Sequence, residues 1–210
     1  MSVKDLKDQS FKVRIDDVSF DVPVLYGYNA YDRRSKRWPT PTLAERSGLR
    51  RSVDTLQFEA LLPDMEPFSE ANASYFAEPG HGRKIRVSLM RKQGDWTYFF
   101  NNAFHRLRRN DDGLVLNGLR RYEDWSTTNR ITKIVYLNHD RPGNDLIEVR
   151  CDLEGAVVSP GCTVTAPYGE QFEVSYFFGL RYLSEWPEIH QRLLTLLDRF
   201  SMSAKDTNTK

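Results

Sequence analysis

The sequence has little of several features that would point directly to a class of protein. Two of its 210 residues are cysteine and 12 are glycine, which excludes a disulfide-dense mini-protein and a collagen-like chain. No apolar run reaches the roughly 18 residues that a membrane-spanning helix needs. The net charge is only +1, so the whole molecule lacks the strong positive field that favours nucleic acid or an acidic membrane. The hydrophobic fraction of 40% is that of an ordinary globular protein with its own core.

Sequence motifs of catalysis and cofactor binding are also absent. The segment GHGRK at 80–84 has glycines and bases, but one residue separates the glycines and isoleucine follows the lysine, so the phosphate-loop spacing is missing. None of the four histidines has another at metal-ligand spacing, and neither cysteine belongs to a C-x-x-C motif. We therefore expect no catalytic residues, no metal and no cofactor, and a protein that is not an enzyme.

Hydrophobic periodicity predicts a protein of many strands and few helices. In KIRVSLM, apolar residues alternate with Arg86 and Ser88, which is the pattern of a half-buried strand. A second strand is predicted at 96–100, after a short polar turn. Similar patterns predict strands within 11–18 and 19–26, and at 55–62, 84–90, 114–119, 132–137, 146–152, 163–166 and 172–178.

Two helices are expected beside these strands. A short helix is predicted at 69–76, and an amphipathic helix is predicted near the C-terminus, with Ser184 as its N-cap. The fold class is therefore α+β, a mainly antiparallel sheet with a short helix and a C-terminal amphipathic helix. We expect a single domain over 1–210, with a long polar loop at 25–52 and a flexible tail at 201–210. The apolar stripe of the long helix comprises Leu183, Trp186, Ile189, Leu193, Leu197 and Phe200.

Cys151 and Cys162 flank GAVVSPG, a run of turn-forming residues. If the chain returns there as a hairpin, the two thiols come within bonding distance, so the pair is a disulfide candidate. The alternative is two unrelated buried thiols. A disulfide would indicate an oxidising compartment. The polar N-terminus predicts a cytoplasmic protein if Met1 is the native start, and a periplasmic or cell-envelope protein if the N-terminus is trimmed.

Two other functions are compatible with parts of the sequence. His139-Asp140, with Asp145 nearby, is the dipeptide most suited to holding a metal or orienting a catalytic base, which would make the protein an enzyme of unrecognised type. A nucleic-acid binder is the other alternative, because the aromatic run at 96–100 precedes three arginines that border a potential stacking platform. These arginines are Arg106, Arg108 and Arg109.

Several residue runs together resemble a group of bacterial envelope proteins. They include VPVLY at 22–26, ALLPDMEPFSEAN at 60–72, GHGRKIRVSL at 80–89, the paired cysteines, FEVSYFF at 172–178 and the closing helix LSEWPEIHQRLLTLLDRF at 183–200. The C-terminal half is similar to the immunity proteins that neutralise lipase effectors of type VI secretion. The resemblance implies that this protein binds an effector protein, a lipase or another toxin, and blocks its active site.

The basic segment after the first strands is the predicted contact with such a partner. Residues 33–51 carry seven Arg or Lys and one Glu, and arginine is enriched at interface hot spots. In proteins of the kind it resembles, an inserted loop would cover the catalytic mouth of the toxin. The alternative is that the segment packs over an edge strand and protects it. The predicted partner-binding residues are Tyr28, Tyr31, Arg33, Arg34, Arg37 and Trp38.

Overall fold

The computed structural model describes residues 6–26, 51–92, 104–110, 116–138 and 145–206. The chain divides into two compact units, one formed by 1–91 with 188–210 and the other by 92–187. Strands dominate both units, and the described helices are short apart from one at the C-terminal end. The predicted α+β class with a mainly antiparallel sheet is therefore confirmed, while the single domain stays a prediction.

The first unit begins with a hairpin of two short strands. Strand β1, Ser10–Ile15, pairs antiparallel with β2, Val18–Pro23. Val13 and Ile15 of β1 are buried because alternate residues of a strand share one face. The short β3, Arg51–Ser52, pairs parallel with β1. A 3-10 helix over Val24–Tyr26 follows β2.

A second pair of strands in this unit encloses a helical connection. Strands β4, Thr55–Leu61, and β5, Lys84–Arg91, are antiparallel, and the predicted strand at 84–90 agrees with β5. Between them lie a 3-10 helix, Glu70–Asn72, and the helix α1, Ala73–Ala77.

Lys84 is buried at the start of β5, where its ammonium group is satisfied by the backbone. Its Nζ donates to the carbonyl oxygens of Phe76, at 3.2 Å, and Glu78, at 2.8 Å. Both carbonyls lie at the C-terminal end of α1, where the helix has no further N–H group to pair with them. Lys84 therefore satisfies these two acceptors. The lysine of GHGRK therefore stabilises the chain reversal between α1 and β5. Gly82 in that reversal has a φ of +48°.

Residues 188–206 of the long helix α2, Trp186–Asp206, belong to the first unit. Phe200 on this helix packs edge-on against Tyr26 and Phe58, with ring centroids 5.4 and 5.5 Å away. The hydroxyl of Tyr26 donates to the carbonyl oxygen of Met65 at 3.0 Å. The helix continues to Asp206, so the first six residues of the predicted flexible tail are helical.

Among its described residues the second unit has six antiparallel strands, each paired with the next along the chain. A 3-10 helix, Phe104–Arg106, precedes them, and another, Leu180–Glu185, follows them. The strands are β6, Leu107–Arg109; β7, Arg120–Trp125; β8, Ile131–Leu137; β9, Glu148–Asp152; β10, Gly161–Tyr168; and β11, Phe172–Gly179.

Two sequence-based expectations are wrong in this unit. Of the strand predicted at 114–119, residues 114 and 115 lie outside the described residues, and 116–119 form a turn before β7 in which Asn117 and Gly118 have φ of +47° and +90°. Ser184 lies inside the 3-10 helix and is not the N-cap of α2. The strand predicted at 96–100 lies outside the described residues.

Replacing Phe200 by alanine should destabilise the protein by about 3–5 kcal/mol, since it removes the helix side of the Tyr26–Phe58–Phe200 cluster and leaves a cavity. Urea unfolding measures the loss. The matched control is Gln191→Ala, an exposed position on the same helix, which should change stability by less than about 0.5 kcal/mol. Equal effects of the two substitutions would contradict the packing described for α2.

Candidate partner-binding surface

The sequence-predicted site residues fall mostly outside the part of the chain that the structure describes. His139 and Asp140 belong to the undescribed segment 139–144. Asp145 is described and exposed, and its carbonyl oxygen accepts a hydrogen bond from Asn138 Nδ2 at 2.7 Å. The basic segment also lies outside the described residues, within 27–50. A role in partner binding therefore stays a prediction for Tyr28, Tyr31, Arg33, Arg34, Arg37 and Trp38.

A cluster of charged side chains lies on one face of the second unit, centred on Arg150 of β9. Arg150 Nη1 donates to Asp124 Oδ2 at 2.5 Å, and its Nε donates to Glu148 Oε1 at 2.7 Å. Arg106 Nε is 3.8 Å from the other oxygen of Asp124. Asp124 is only 5% exposed, so this carboxylate depends on the two arginines for compensation.

Burial and charge act in opposite directions on the titrating groups of this cluster. Burial tends to lower the pKa of Arg150, but hydrogen bonds and charges from Glu148 and Asp124 outweigh it and raise the pKa. The pKa of Glu173 on β11 is also raised, chiefly by burial, with Lys92 acting to lower it and Glu148 to raise it. Arg150 therefore remains a cation at every physiological pH and offsets the charge of the buried Asp124 carboxylate.

Of the arginines considered for nucleic-acid binding, Arg106 belongs to this network, and Arg108 and Arg109 lie on β6, the strand that pairs with β7. Arg106, Arg108 and Arg109 are all exposed, and each makes at least one interaction within the chain. Arg108 donates to Asn129 Oδ1 at 3.2 Å and stacks over the ring of Trp125, with its guanidinium carbon 4.2 Å from the centroid. Its planar group therefore faces an aromatic ring of its own chain.

The described residues offer no site suited to a metal ion. No group of three or more His, Cys, Asp or Glu side chains there is arranged to hold one. Within the same residues, no helix is long and apolar enough to cross a membrane.

Cys151 and Cys162 form a disulfide between neighbouring strands. The two residues are direct partners in the antiparallel register of β9 and β10, and both are buried. The bond closes the loop at 153–160, whose ends are fixed by further hydrogen bonds. Asp152 Oδ2 accepts from the Gly161 N–H at 3.0 Å, and the carbonyl oxygen of Pro160 accepts from the Leu180 N–H at 2.9 Å.

Sequence reasoning did not find the charged network. Asp124 and Arg150 are 26 positions apart in the chain, and only the pairing of β7 with β8 and of β8 with β9 brings them together. The one local signal is the alternation of charged residues in EVRCD, where Glu148, Arg150 and Asp152 share a face.

The fold is similar to two solved bacterial structures. The iron-regulated outer membrane lipoprotein FrpD of Neisseria meningitidis matches with a TM-score of 0.59 and 14% identity, over 93% of this chain and 93% of FrpD. Smlt3025, an immunity protein of the Stenotrophomonas maltophilia type IV secretion system, matches with a TM-score of 0.59 and 12% identity, over 92% of this chain and 93% of that one. At such identities the similarity is one of fold.

Comparisons of sequence add no relative. No protein-family model matches the chain, and no curated protein is significantly similar to it. The sequence resemblance also pointed to immunity proteins and bacterial envelope proteins, so the two structural neighbours agree with it in part. The secretion system differs, because Smlt3025 belongs to a type IV system and the sequence resemblance pointed to type VI.

Replacing Arg150 by alanine should lower the free energy of unfolding by about 2–4 kcal/mol, because it leaves the buried carboxylate of Asp124 with only the more distant Arg106. Arg91→Ala is the matched control. Arg91 pairs with Asp16 at 3.3 Å, but both side chains are well exposed, so this loss should stay below about 1 kcal/mol. Urea unfolding of the two variants compares the pairs, and losses of equal size would contradict a buried network.

Reducing the disulfide should lower the free energy of unfolding by about 2–3 kcal/mol, since the bond closes a loop with a sequence separation of 11. Urea unfolding with and without dithiothreitol measures the difference. The variant Cys151→Ala/Cys162→Ala should be insensitive to dithiothreitol. An unchanged midpoint for the wild-type protein, with both thiols shown to be free, would contradict a stabilising bond.

Proposed function

We propose that this protein is an immunity protein, which binds a secreted effector toxin and neutralises it by blocking the toxin's active site. The observation that carries the proposal is the similarity of fold to Smlt3025, itself an immunity protein, over 92% of this chain. The sequence resemblance to immunity proteins supports the same function independently of the fold. The protein acts in this proposal by binding, and has no catalytic activity of its own.

The class of effector follows from the sequence resemblance. The immunity proteins that the C-terminal half resembles neutralise lipases of type VI secretion, whereas Smlt3025 belongs to a type IV system. We take a lipase as the proposed target.

The proposed site of action is the cell envelope. The disulfide between Cys151 and Cys162 supports an oxidising compartment, because such bonds are rare in the reducing cytoplasm. One of the structural neighbours, FrpD, is an outer membrane lipoprotein. A toxin delivered to the envelope would meet its inhibitor there.

The basic segment containing Arg33, Arg34, Arg37 and Trp38 is the proposed contact with the catalytic mouth. The segment combines arginine side chains with aromatic rings. Arginine, tyrosine and tryptophan are the residues most enriched among interface hot spots. Arginines elsewhere in the chain support this choice indirectly. Arg150 and Arg108 are engaged inside the second unit, so they have less capacity to meet a partner.

The direct test is a tagged pull-down from the source cells, read by mass spectrometry and followed by an activity assay. We expect one toxin-like enzyme at near-stoichiometric amount, whose activity falls as the purified immunity protein is added. Recovery of no specific enzyme, or of an enzyme that stays fully active in the complex, would sink the proposal.

The contact of the basic segment is tested with the effector recovered in that pull-down. Arg37→Glu and Trp38→Ala should each weaken binding by about tenfold or more, because the loss of a hot-spot side chain costs about 2 kcal/mol or more and about 1.4 kcal/mol is tenfold in Kd. The melting temperature should stay unchanged. Gln191→Ala on the exposed side of α2 is the control and should bind as the wild type does. Undiminished affinity in both segment variants would remove this segment from the interface.

A further inference from the structure

The loop between β9 and β10 carries the most exposed apolar side chains of the described residues. Within them, the exposed large hydrophobic side chains are Tyr75, at 37%, Val157, at 46%, and Val158, fully exposed at 106%. Tyr75 is covered on one side by Arg83, whose guanidinium carbon is 4.7 Å from its ring centroid. The two valines are adjacent in sequence and both are exposed, so they form the apolar tip of the loop.

A disulfide and several hydrogen bonds restrict the backbone beneath this tip. The disulfide joins the residues on either side of the loop, and the carboxylate of Asp152 bonds both the Gly161 N–H and Lys133 Nζ. Inside the loop, the Ala156 N–H donates to the carbonyl oxygen of Leu153 at 3.1 Å, closing a tight turn. Gly155 has a φ of +78° in this turn, a conformation that glycine adopts without strain.

A fixed apolar tip is costly in solution and favourable at an interface. Exposing both valines gains nothing for the folded monomer, whereas removing their apolar surface from water is favourable. A partner that covers them gains this free energy at a smaller entropic cost, because the disulfide and the turn already restrict the loop. The geometry is therefore that of a preorganised binding element.

Charge decides which kind of partner fits the tip. Between the two cysteines the charged residues are Asp152 and Glu154, and no Lys, Arg or His is present. Asp152 is neutralised by Lys133, whereas Glu154 is exposed beside the tip. An anionic lipid surface attracts basic segments and would repel this one. An apolar protein pocket with a cation at its rim complements it.

We infer that the disulfide-closed loop is a docking element, and that Val157 and Val158 enter an apolar pocket of the effector whose rim carries a Lys or Arg facing Glu154. The inference deepens the proposed function and rests on it, because the pocket belongs to the same effector. A lipase would have such a pocket, because an enzyme that acts on acyl chains needs an apolar cleft.

The test measures binding to the effector recovered with the wild-type protein. Val158→Asp should raise Kd by at least about tenfold, because the pocket must then desolvate a carboxylate. Val158→Ile is the matched control and should bind within about threefold of the wild type, since it keeps the apolar character of the tip. Both variants should keep the wild-type melting temperature, because the side chain is fully exposed.

Glu154→Lys tests the rim charge separately. It should slow association at low ionic strength, and the difference from the wild type should shrink as salt is added. An association rate that is unchanged or faster would overturn the charge complementarity proposed for the pocket.

The outcomes separate the loop from the proposed function. If the wild type and Val158→Asp bind and inhibit the effector equally, the loop inference fails and the immunity function stands. If the wild type recovers no effector, both fail. The loop inference is also overturned if the wild type sediments with vesicles of phosphatidylethanolamine and phosphatidylglycerol, or forms a dimer in light scattering, and Val158→Asp abolishes that association.

Discussion

The register of β9 against its neighbours decides where charge and apolar surface lie in the second unit. In the sequence EVRCD, residues alternate between two faces, so Val149 and Cys151 lie on one face and Glu148, Arg150 and Asp152 on the other. A slip of one residue would turn the charged face into the core and separate the two cysteines. The disulfide to β10 and the ion pair to Asp124 of β7 both require this register, and they stabilise it from opposite faces.

Segments with clear periodicity could be predicted from the sequence. The strand at 84–90 and the stripe of apolar residues on α2 are determined by local spacing, and both are present in the structure. The strand β7 was misplaced because its buried face includes Asp124, a residue that hydrophobic patterns cannot assign to a core. The Asn117–Gly118 pair was a usable signal for the turn before it. The disulfide remained open because sequence spacing cannot supply the register that joins Cys151 to Cys162.

The many arginines of the chain have a structural use that their number alone did not reveal. Arg83 Nε donates to the carbonyl oxygen of Leu62 at 3.0 Å, and Arg192 Nη1 donates to that of Pro63 at 2.9 Å. Arg150 joins β9 to β7 in the other unit. Each bond links residues distant in sequence. Arginine suits this role because its guanidinium group carries several N–H donors and is always charged. These three arginines therefore serve as internal cross-links.

The disulfide also changes what a cut in the chain would do. The loop tip between Cys151 and Cys162 is the kind of exposed turn at which proteases cleave. A nick at any bond within it would leave the two fragments covalently joined, with β9 and β10 still paired on either side of the break. In a protease-rich environment the molecule would thus persist as a nicked but connected chain, and a reductant alone would free its C-terminal fragment from covalent attachment.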